Sequence, residues 1–184
     1  DVDGGAAVYS IAGGADAALF TINATTGVLS FNSAPNYEAP SDAGANNVYD
    51  VTVQVSDGAG GTDTQAIAVT VTPVNDNAPV ITSNGGGSTA AISLAENTSA
   101  VTTVTATDAD LPAPTLTYSI SGGADAARFA INASSGALSF VAAPDYEMPT
   151  DAGANNVYDV IVQVSDGTLT DTQAIAVTVT PVND

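Results

Sequence analysis

The chain has 184 residues and a formal charge of −19 at pH 7, because twenty acidic residues face a single basic one, Arg128. Charge repulsion excludes nucleic acid and anionic membranes as partners and makes cations the natural ligands. The sequence has neither histidine nor cysteine, which removes the commonest catalytic base and all disulfide and thiolate chemistry, so we do not expect an enzyme.

Most of the chain is present twice. Residues 9–58 recur as residues 118–167 with twelve substitutions, and residues 62–76 recur unchanged as residues 170–184. A repeat of this length corresponds to a whole domain and not to a short solenoid unit.

The duplication predicts two domains, residues 1–76 and residues 77–184. Residues 77–107 have no counterpart before Asp1, so we expect the first domain to be N-terminally truncated. Residues 1–76 are then either a partial sandwich or a domain completed by another chain, and the sequence leaves both possibilities open.

Apolar and polar residues alternate with a period of two along both copies, which is typical of half-buried β-strands. In the first copy the apolar positions begin at Leu29 and Phe31, continue from Tyr49 to Val55, and return at Ile67 and Val69. Glycine-containing turns separate these runs, and no segment has a convincing helical period. We therefore predict an all-β sandwich with about seven strands in the complete domain.

Short acidic motifs punctuate the strands in a fixed order. They are Val74-Asn75-Asp76-Asn77, Ala95-Glu96-Asn97, Thr107-Asp108-Ala109-Asp110, Pro144-Asp145-Tyr146-Glu147 and Ser165-Asp166-Gly167. Seventeen of the twenty acids are aspartate, which favours turns and oxygen cages for hard cations. The order and spacing resemble the cadherin repeat over the full second copy. The scarcity of Lys and Arg resembles the bacterial branch of that family, which occurs in large secreted or surface proteins.

The resemblance implies tandem Greek-key β-sandwiches of the immunoglobulin-like, cadherin type, with calcium held between successive repeats. The junction between the two copies would use Asn36, Glu38, Asn75, Asp76, Asn77, Asp108, Asp110 and Asp166. A distal half-site would gather Glu96, Asp145, Glu147, Asn183 and Asp184. A proximal half-site would gather Asp1, Asp3 and Asp57.

The junction between the copies departs from the family pattern. Asn36 stands where the pattern has an aspartate, Pro73 replaces the first aspartate of the linker motif, and the first copy lacks the early glutamate. Because these changes remove charged ligands, we expect fewer ions or weaker binding than at a complete junction of the family.

The remaining acids match no calcium motif and are interpreted as solvated surface residues or turn caps. They are Asp16, Asp42, Asp50 and Asp63, with their second-copy equivalents Asp125, Asp151, Asp159 and Asp171. Two motif positions also have a simpler interpretation, since Asp57 and Asp166 each precede a glycine and are compatible with plain hairpin turns. Glu38 and Glu147 are likewise compatible with exposed loop acids.

Three functional hypotheses follow. The first is a calcium-rigidified extender or adhesion module of an extracellular or bacterial surface protein, whose partners are calcium ions, adjacent repeats and homophilic contacts. The second is a carbohydrate-binding module for cell-surface polysaccharide, which the lack of Trp and the presence of only ten aromatic residues disfavour. The third is self-association through the open edge of the first copy.

Overall fold

The computed structural model describes residues 5–183, which form β-strands joined by turns and loops. The helical elements in this range are three short 3₁₀ turns, at Ala17–Leu19, Ser83–Gly85 and Ala126–Arg128. None of them is long or apolar enough to cross a membrane. The all-β prediction is confirmed. Two compact units divide the chain, and the boundary lies between Val74 and Asn75.

The first unit has five described strands in two sheets. They are β1 (Val8–Gly13), β2 (Phe20–Ile22), β3 (Leu29–Phe31), β4 (Val48–Ser56) and β5 (Thr62–Thr70). One sheet has the order β1-β4-β5, and β2 pairs with β3 in the other. All of these pairs are antiparallel.

Over residues 75–183 the second unit has nine strands. They are β6 (Val80–Ile81), β7 (Thr89–Ala95), β8 (Ala100–Thr103), β9 (Ala106–Thr107), β10 (Thr117–Gly122), β11 (Phe129–Ile131), β12 (Ala137–Phe140), β13 (Val157–Ser165) and β14 (Thr170–Thr180). The sheets have the orders β10-β13-β14-β7, β11-β12-β8 and β6-β9. The count exceeds the predicted seven because short interruptions separate β6 from β7 and β8 from β9. Strand β7 runs parallel to β14, whereas the other pairs are antiparallel.

Each unit contains its own stack of three aromatic rings, and the two stacks have the same geometry. In the first unit the rings of Phe20 and Phe31 stack with centroids 4.5 Å apart, and Phe31 meets Tyr49 edge-on at 5.1 Å. The second unit repeats both distances with Phe129, Phe140 and Tyr158. Such pairs add to the stability that area burial provides. The repeat is therefore a repeat of packing as well as of sequence.

The two cores nevertheless differ in how well they are covered. Val162, Val164 and Val177 are fully buried in the second unit. Their first-unit counterparts Val53, Val55 and Val69 are only half-buried. The second unit gains cover from residues 80–107, which contribute Ile81 and Val104 to its core. Residues 5–76 contain no equivalent of that segment.

Four aspartates outside the calcium motifs are buried, so of the two predicted roles, solvated surface residue or turn cap, the structure supports the turn cap for them. Asp16, Asp42, Asp125 and Asp151 are 4 to 7% exposed. Each caps backbone N–H groups. Burial raises the pKa of Asp151, but the N–H groups of Asn155 and Asn156 outweigh it, and the pKa lies below its ordinary value. These acids serve as turn caps that fix the loops between strands.

Candidate metal centre

Three aspartates of the second unit converge at one end of its strands. Asp108 and Asp110 follow β9, and Asp166 follows β13. Each offers a carboxylate oxygen within 4.8 Å of the others. Asp110 is only 4% exposed, and the other two are half-buried. We call this group the Asp108 cluster.

Two carboxylate oxygens of the Asp108 cluster are buried without a hydrogen-bond partner anywhere in residues 5–183. They are Oδ2 of Asp108 and Oδ2 of Asp166. The Oδ1 atoms are satisfied, since that of Asp108 accepts from the Asp110 N–H at 2.8 Å and that of Asp166 accepts from the Thr168 N–H at 2.7 Å. A buried carboxylate oxygen without a partner is unfavourable. A calcium ion would supply that partner, because calcium is coordinated by carboxylate oxygens.

The segment that opens the second unit is attached to this cluster. The backbone N–H of Asn77 donates to Asp110 Oδ1 at 3.2 Å, and its side-chain amide donates to the same oxygen at 2.6 Å. The amide also donates to Asp76 Oδ1 at 3.0 Å. The side chain of Asn75 helps to lower the pKa of Asp166 and therefore lies near its carboxyl group. Asp76 has a carboxylate oxygen within 4.8 Å of one on Asp110. The structure thus brings all three predicted linker residues close to Asp110 or Asp166.

Asn36 and Glu38, the first-unit residues predicted for the junction, lie in the loop between β3 and β4. Asn36 Oδ1 accepts the N–H groups of Glu38 at 2.7 Å and Ala39 at 3.1 Å. The rest of the Asn36 amide is a donor and cannot bind a cation. Its counterpart Asp145 caps Met148 in a similar way at 3.0 Å but has a second carboxylate oxygen. Glu38 is half-buried, and its part in a metal site stays a prediction.

A second acidic group, the Glu96 cluster, lies elsewhere in the second unit. Glu96 follows β7, while Asp145 and Glu147 belong to the loop between β12 and β13. Their carboxylate oxygens lie within 4.8 Å of one another. Asp145 and Glu147 are exposed. Of the other residues predicted for this half-site, Asn183 is exposed and Asp184 lies outside the described residues.

Glu96 is the anchored member of its cluster. It is 3% exposed, and its two oxygens accept the N–H groups of Tyr146 and Val182, both at 2.7 Å. These hydrogen bonds, that of Tyr146 first, hold the Glu96 pKa below its ordinary value. The hydrogen bond from the Thr168 N–H likewise lowers the pKa of Asp166. It outweighs burial, which raises that pKa.

The lowered pKa values of Glu96 and Asp166 keep a negative charge in both clusters. A carboxylate whose folded-state pKa is lowered stabilises the fold above its ordinary pKa, and that contribution is lost as the pH falls through the lowered value. Ordinary carboxyl pKa values are near 4. Glu96 and Asp166 are therefore ionised at neutral pH, as ligands for a cation must be.

The proximal half-site is described only at Asp57, because Asp1 and Asp3 lie outside the described residues. Asp57 Oδ1 accepts the N–H groups of Ala59 at 2.7 Å and Gly61 at 2.9 Å. The Ala59 contact is the main cause of its lowered pKa, with burial opposing. This geometry is that of a turn cap, which agrees with the simpler interpretation of the Asp-Gly pair and leaves one carboxylate oxygen for other ligands.

The aromatic side chains do not form a sugar-stacking platform. All ten lie within residues 5–183, and each is buried or half-buried. Six of them make the two core stacks. The geometry therefore adds nothing to the carbohydrate-binding hypothesis.

The fold defines a β-sandwich module whose strand ends carry clustered carboxylates. The family model of the cadherin domain matches residues 90–180. Residues 90–180 are a cadherin domain, and the predicted cadherin-like repeat is confirmed.

Comparisons with individual proteins agree with this assignment. The chain is 29% identical to human protocadherin Fat 1 over 96% of its own length, which is 4% of the length of that relative. The repeats EC1-2 of human protocadherin-24 superpose with a TM-score of 0.70 at 22% identity, covering 99% of this chain and 85% of that one. Mouse cadherin-23 EC22-24 gives a TM-score of 0.63 at 24% identity, with 96% and 53% covered. The structural matches show a common fold.

Proposed function

We propose that this chain is a calcium-binding pair of cadherin-like repeats from an extracellular or cell-surface protein. Its role would be calcium-dependent adhesion or the stiffening of an extended array of repeats. The observation that carries the proposal is the pair of buried, unpartnered oxygens of Asp108 and Asp166 beside the nearly inaccessible Asp110. Three carboxylates held this close repel one another, and a divalent cation converts the repulsion into bridging.

In this proposal Glu38 supplies the ligand that couples the first repeat to the second. Support comes from the internal repeat, because Glu38 corresponds to Glu147, a member of the Glu96 cluster. The Asp108 cluster would then hold calcium together with Glu38 and Asp76. Since Asn36 uses its one side-chain oxygen as a turn cap, the junction has one carboxylate fewer than it would with aspartate. We expect weaker calcium binding there for that reason.

The Glu96 cluster would act as one half of a further junction, with Asn183 and Asp184 as additional ligands. The proposal places the protein outside the cell, where millimolar calcium matches the affinity of extracellular modules, about 10⁻⁴ to 10⁻³ M. The single basic residue and the absence of cysteine support a bacterial surface protein. A cis-dimer of protocadherin gammaB7 EC3-6 is among the similar structures, which supports homophilic contacts as part of the proposal.

Small-angle X-ray scattering tests the stiffening role. In calcium we expect a narrow distribution of interatomic distances, and after chelation a broader one, because unneutralised carboxylates at the junction repel. The double variant Asp108→Asn/Asp166→Asn should give similar curves in calcium and in chelator. Asp159→Asn, which removes an exposed carboxylate outside both clusters, should behave like the unmodified chain. Identical scattering of the unmodified chain with and without calcium would contradict the proposed stiffening role.

A further inference from the structure

A pocket opens on the surface of the second unit beside the loop between β12 and β13. Its volume is about 350 Å³, which lies in the usual range for sites that bind small organic ligands. Both buried and exposed side chains line it. The buried ones include Phe140, Pro144 and Tyr158, and the exposed ones include Arg128, Val141 and Met148. We call this cavity the Arg128 pocket.

The Arg128 pocket contains two side chains of types that occur once in the sequence. Arg128 is the only Lys or Arg residue, and Met148 is the only methionine. Within residues 5–183 the guanidinium group of Arg128 has no hydrogen-bond or ion-pair partner. Met148 is 71% exposed and Val141 is 68% exposed, so both offer apolar surface to a ligand. The pocket thus combines a positive charge with apolar walls in a chain of net charge −19.

The first unit has an equivalent pocket with a different lining. Its volume is about 200 Å³, and the aromatic and proline residues are retained as Phe31, Pro35 and Tyr49. Leu19 stands where the second unit has Arg128, and Ala39 stands where it has Met148. No charged residue lines this first-unit pocket. It is therefore an internal control that has the same framework without the cation.

The differences between the two copies concentrate at this pocket. Residues 9–58 and 118–167 differ at twelve of fifty positions, whereas six of the eleven residues that line the Arg128 pocket are changed. The six are Arg128, Val141, Ala142, Asp145, Met148 and Thr150. The buried residues Phe140, Pro144 and Tyr158 are the same in both copies. The substitutions thus alter the chemistry of the pocket and keep its framework.

We propose that the Arg128 pocket binds a small carboxylic acid with an apolar body. The planar guanidinium group pairs with the carboxylate through two parallel hydrogen bonds. The apolar body lies against Val141 and Met148, and the flexible methionine side chain adapts to its shape.

Charge limits the ligand to one carboxylate. Asp145 also lines the pocket and the whole chain carries −19, so a second negative charge on the ligand would be repelled. The same repulsion disfavours a second copy of this chain as the occupant. The first-unit pocket has no cation to pair with a carboxylate and should not bind this class of ligand.

An NMR titration of the isotope-labelled full chain with phenylbutyrate tests the proposal. We expect chemical-shift changes at the amides of Arg128 and of residues 140–150, with half-saturation at about 10⁻³ M, a usual affinity for a ligand of this size. The amides of Leu19 and of residues 31–41 should not shift. The neutral analogue phenylbutanol should bind about tenfold more weakly, because it cannot form the charged pair with the guanidinium group. Binding should occur in chelator as well as in calcium, which keeps this test separate from that of the calcium site.

Variants that copy single first-unit residues into the second unit locate the contact. Arg128→Leu should weaken phenylbutyrate binding by about tenfold and remove its advantage over phenylbutanol. Met148→Ala should weaken the binding of both compounds alike, because it removes apolar surface. Ala130→Thr makes the same kind of exchange at an exposed position outside the pocket and should bind like the unmodified chain. The same spectra report whether each variant is folded.

Four results would each overturn the proposal. They are no chemical-shift change at about 10⁻² M phenylbutyrate, equal affinity for phenylbutanol, unchanged binding by a folded Arg128→Leu variant, and a dimer of the chain that buries the pocket and excludes the ligand.

Discussion

Replacing Ile175 by alanine is expected to lower the free energy of unfolding of the second unit by about 2 to 5 kcal/mol, the usual range for a large aliphatic side chain removed from a core. Ile175 is 1% exposed and lies on β14, which β7 and β13 flank. The matched change Ile67→Ala should lower the stability of the first unit by only about 1 kcal/mol, since a half-buried side chain has less apolar area to lose.

Native-state hydrogen exchange measures both effects in the full chain, because it reports local free energies of opening. Ile175→Ala should speed exchange in β13 and β14 and leave β4 and β5 unchanged, and Ile67→Ala should do the reverse with a smaller change. Equal losses in the two units would mean that the first core is as well covered as the second, which would contradict the difference in burial described above.

Replacing Asp125 by alanine is expected to destabilise the second unit by about 3 kcal/mol or more. Its two oxygens accept the N–H groups of Ala152 at 2.7 Å and Asp159 at 2.9 Å. A hydrogen bond to a charged group is worth about 1.5 to 3 kcal/mol. Asp16→Ala should cost the first unit a similar amount, because Asp16 makes the equivalent contacts with Ala43 and Asp50, both at 2.7 Å.

The same exchange experiment separates this pair from the isoleucine pair. The two aspartate variants should lower the free energy of unfolding of their own units by similar amounts, whereas the two isoleucine variants should lower it by different amounts. Asp125→Asn keeps one side-chain acceptor and should lose about half as much as Asp125→Ala. A loss below about 1 kcal/mol for Asp125→Ala would show that the cap does not stabilise the loop as its geometry indicates.

Much of the fold could be predicted because strand side chains alternate between two faces. The apolar residues Tyr158, Val160, Val162 and Val164 are all buried on β13, as the period of two predicts. The duplication gave a second, independent instance of each strand. The order of the acidic motifs was informative for a different reason: they follow strands, and strand ends of one sandwich converge at common edges.

Burial, in contrast, could not be predicted from residue type. Asp42 and Asp151 belong to a polar loop sequence that looks solvated, yet each is nearly inaccessible and caps the backbone of the two asparagines that close its own loop. Gln173 occupies an inward position of β14 that the alternation assigns to an apolar residue. Its burial depends on partners about 90 residues earlier in the chain, which no local pattern identifies.

The grouping of the acidic residues was predictable and the state of their oxygen atoms was not, while their binding of a cation stays a prediction. The sequence indicated Asp108, Asp110 and Asp166, but not that two of their oxygens are buried without partners. Nor could it indicate that the amide oxygen of Asn36 is engaged by the backbone. Both facts depend on side-chain direction within turns, and they decide how many oxygens are left for a cation.

The most direct measurement is a calorimetric calcium titration of the full chain and of two charge-matched variants. We expect the unmodified chain and Asp159→Asn to bind calcium with similar affinity, near 10⁻⁴ to 10⁻³ M. Asp166→Asn should bind calcium more weakly, because it removes one carboxylate of the Asp108 cluster. Because both variants remove one negative charge, a difference between them cannot arise from the ion atmosphere. The same isotherm for all three proteins, or no binding at several times 10⁻³ M calcium, would contradict a calcium centre at Asp108, Asp110 and Asp166.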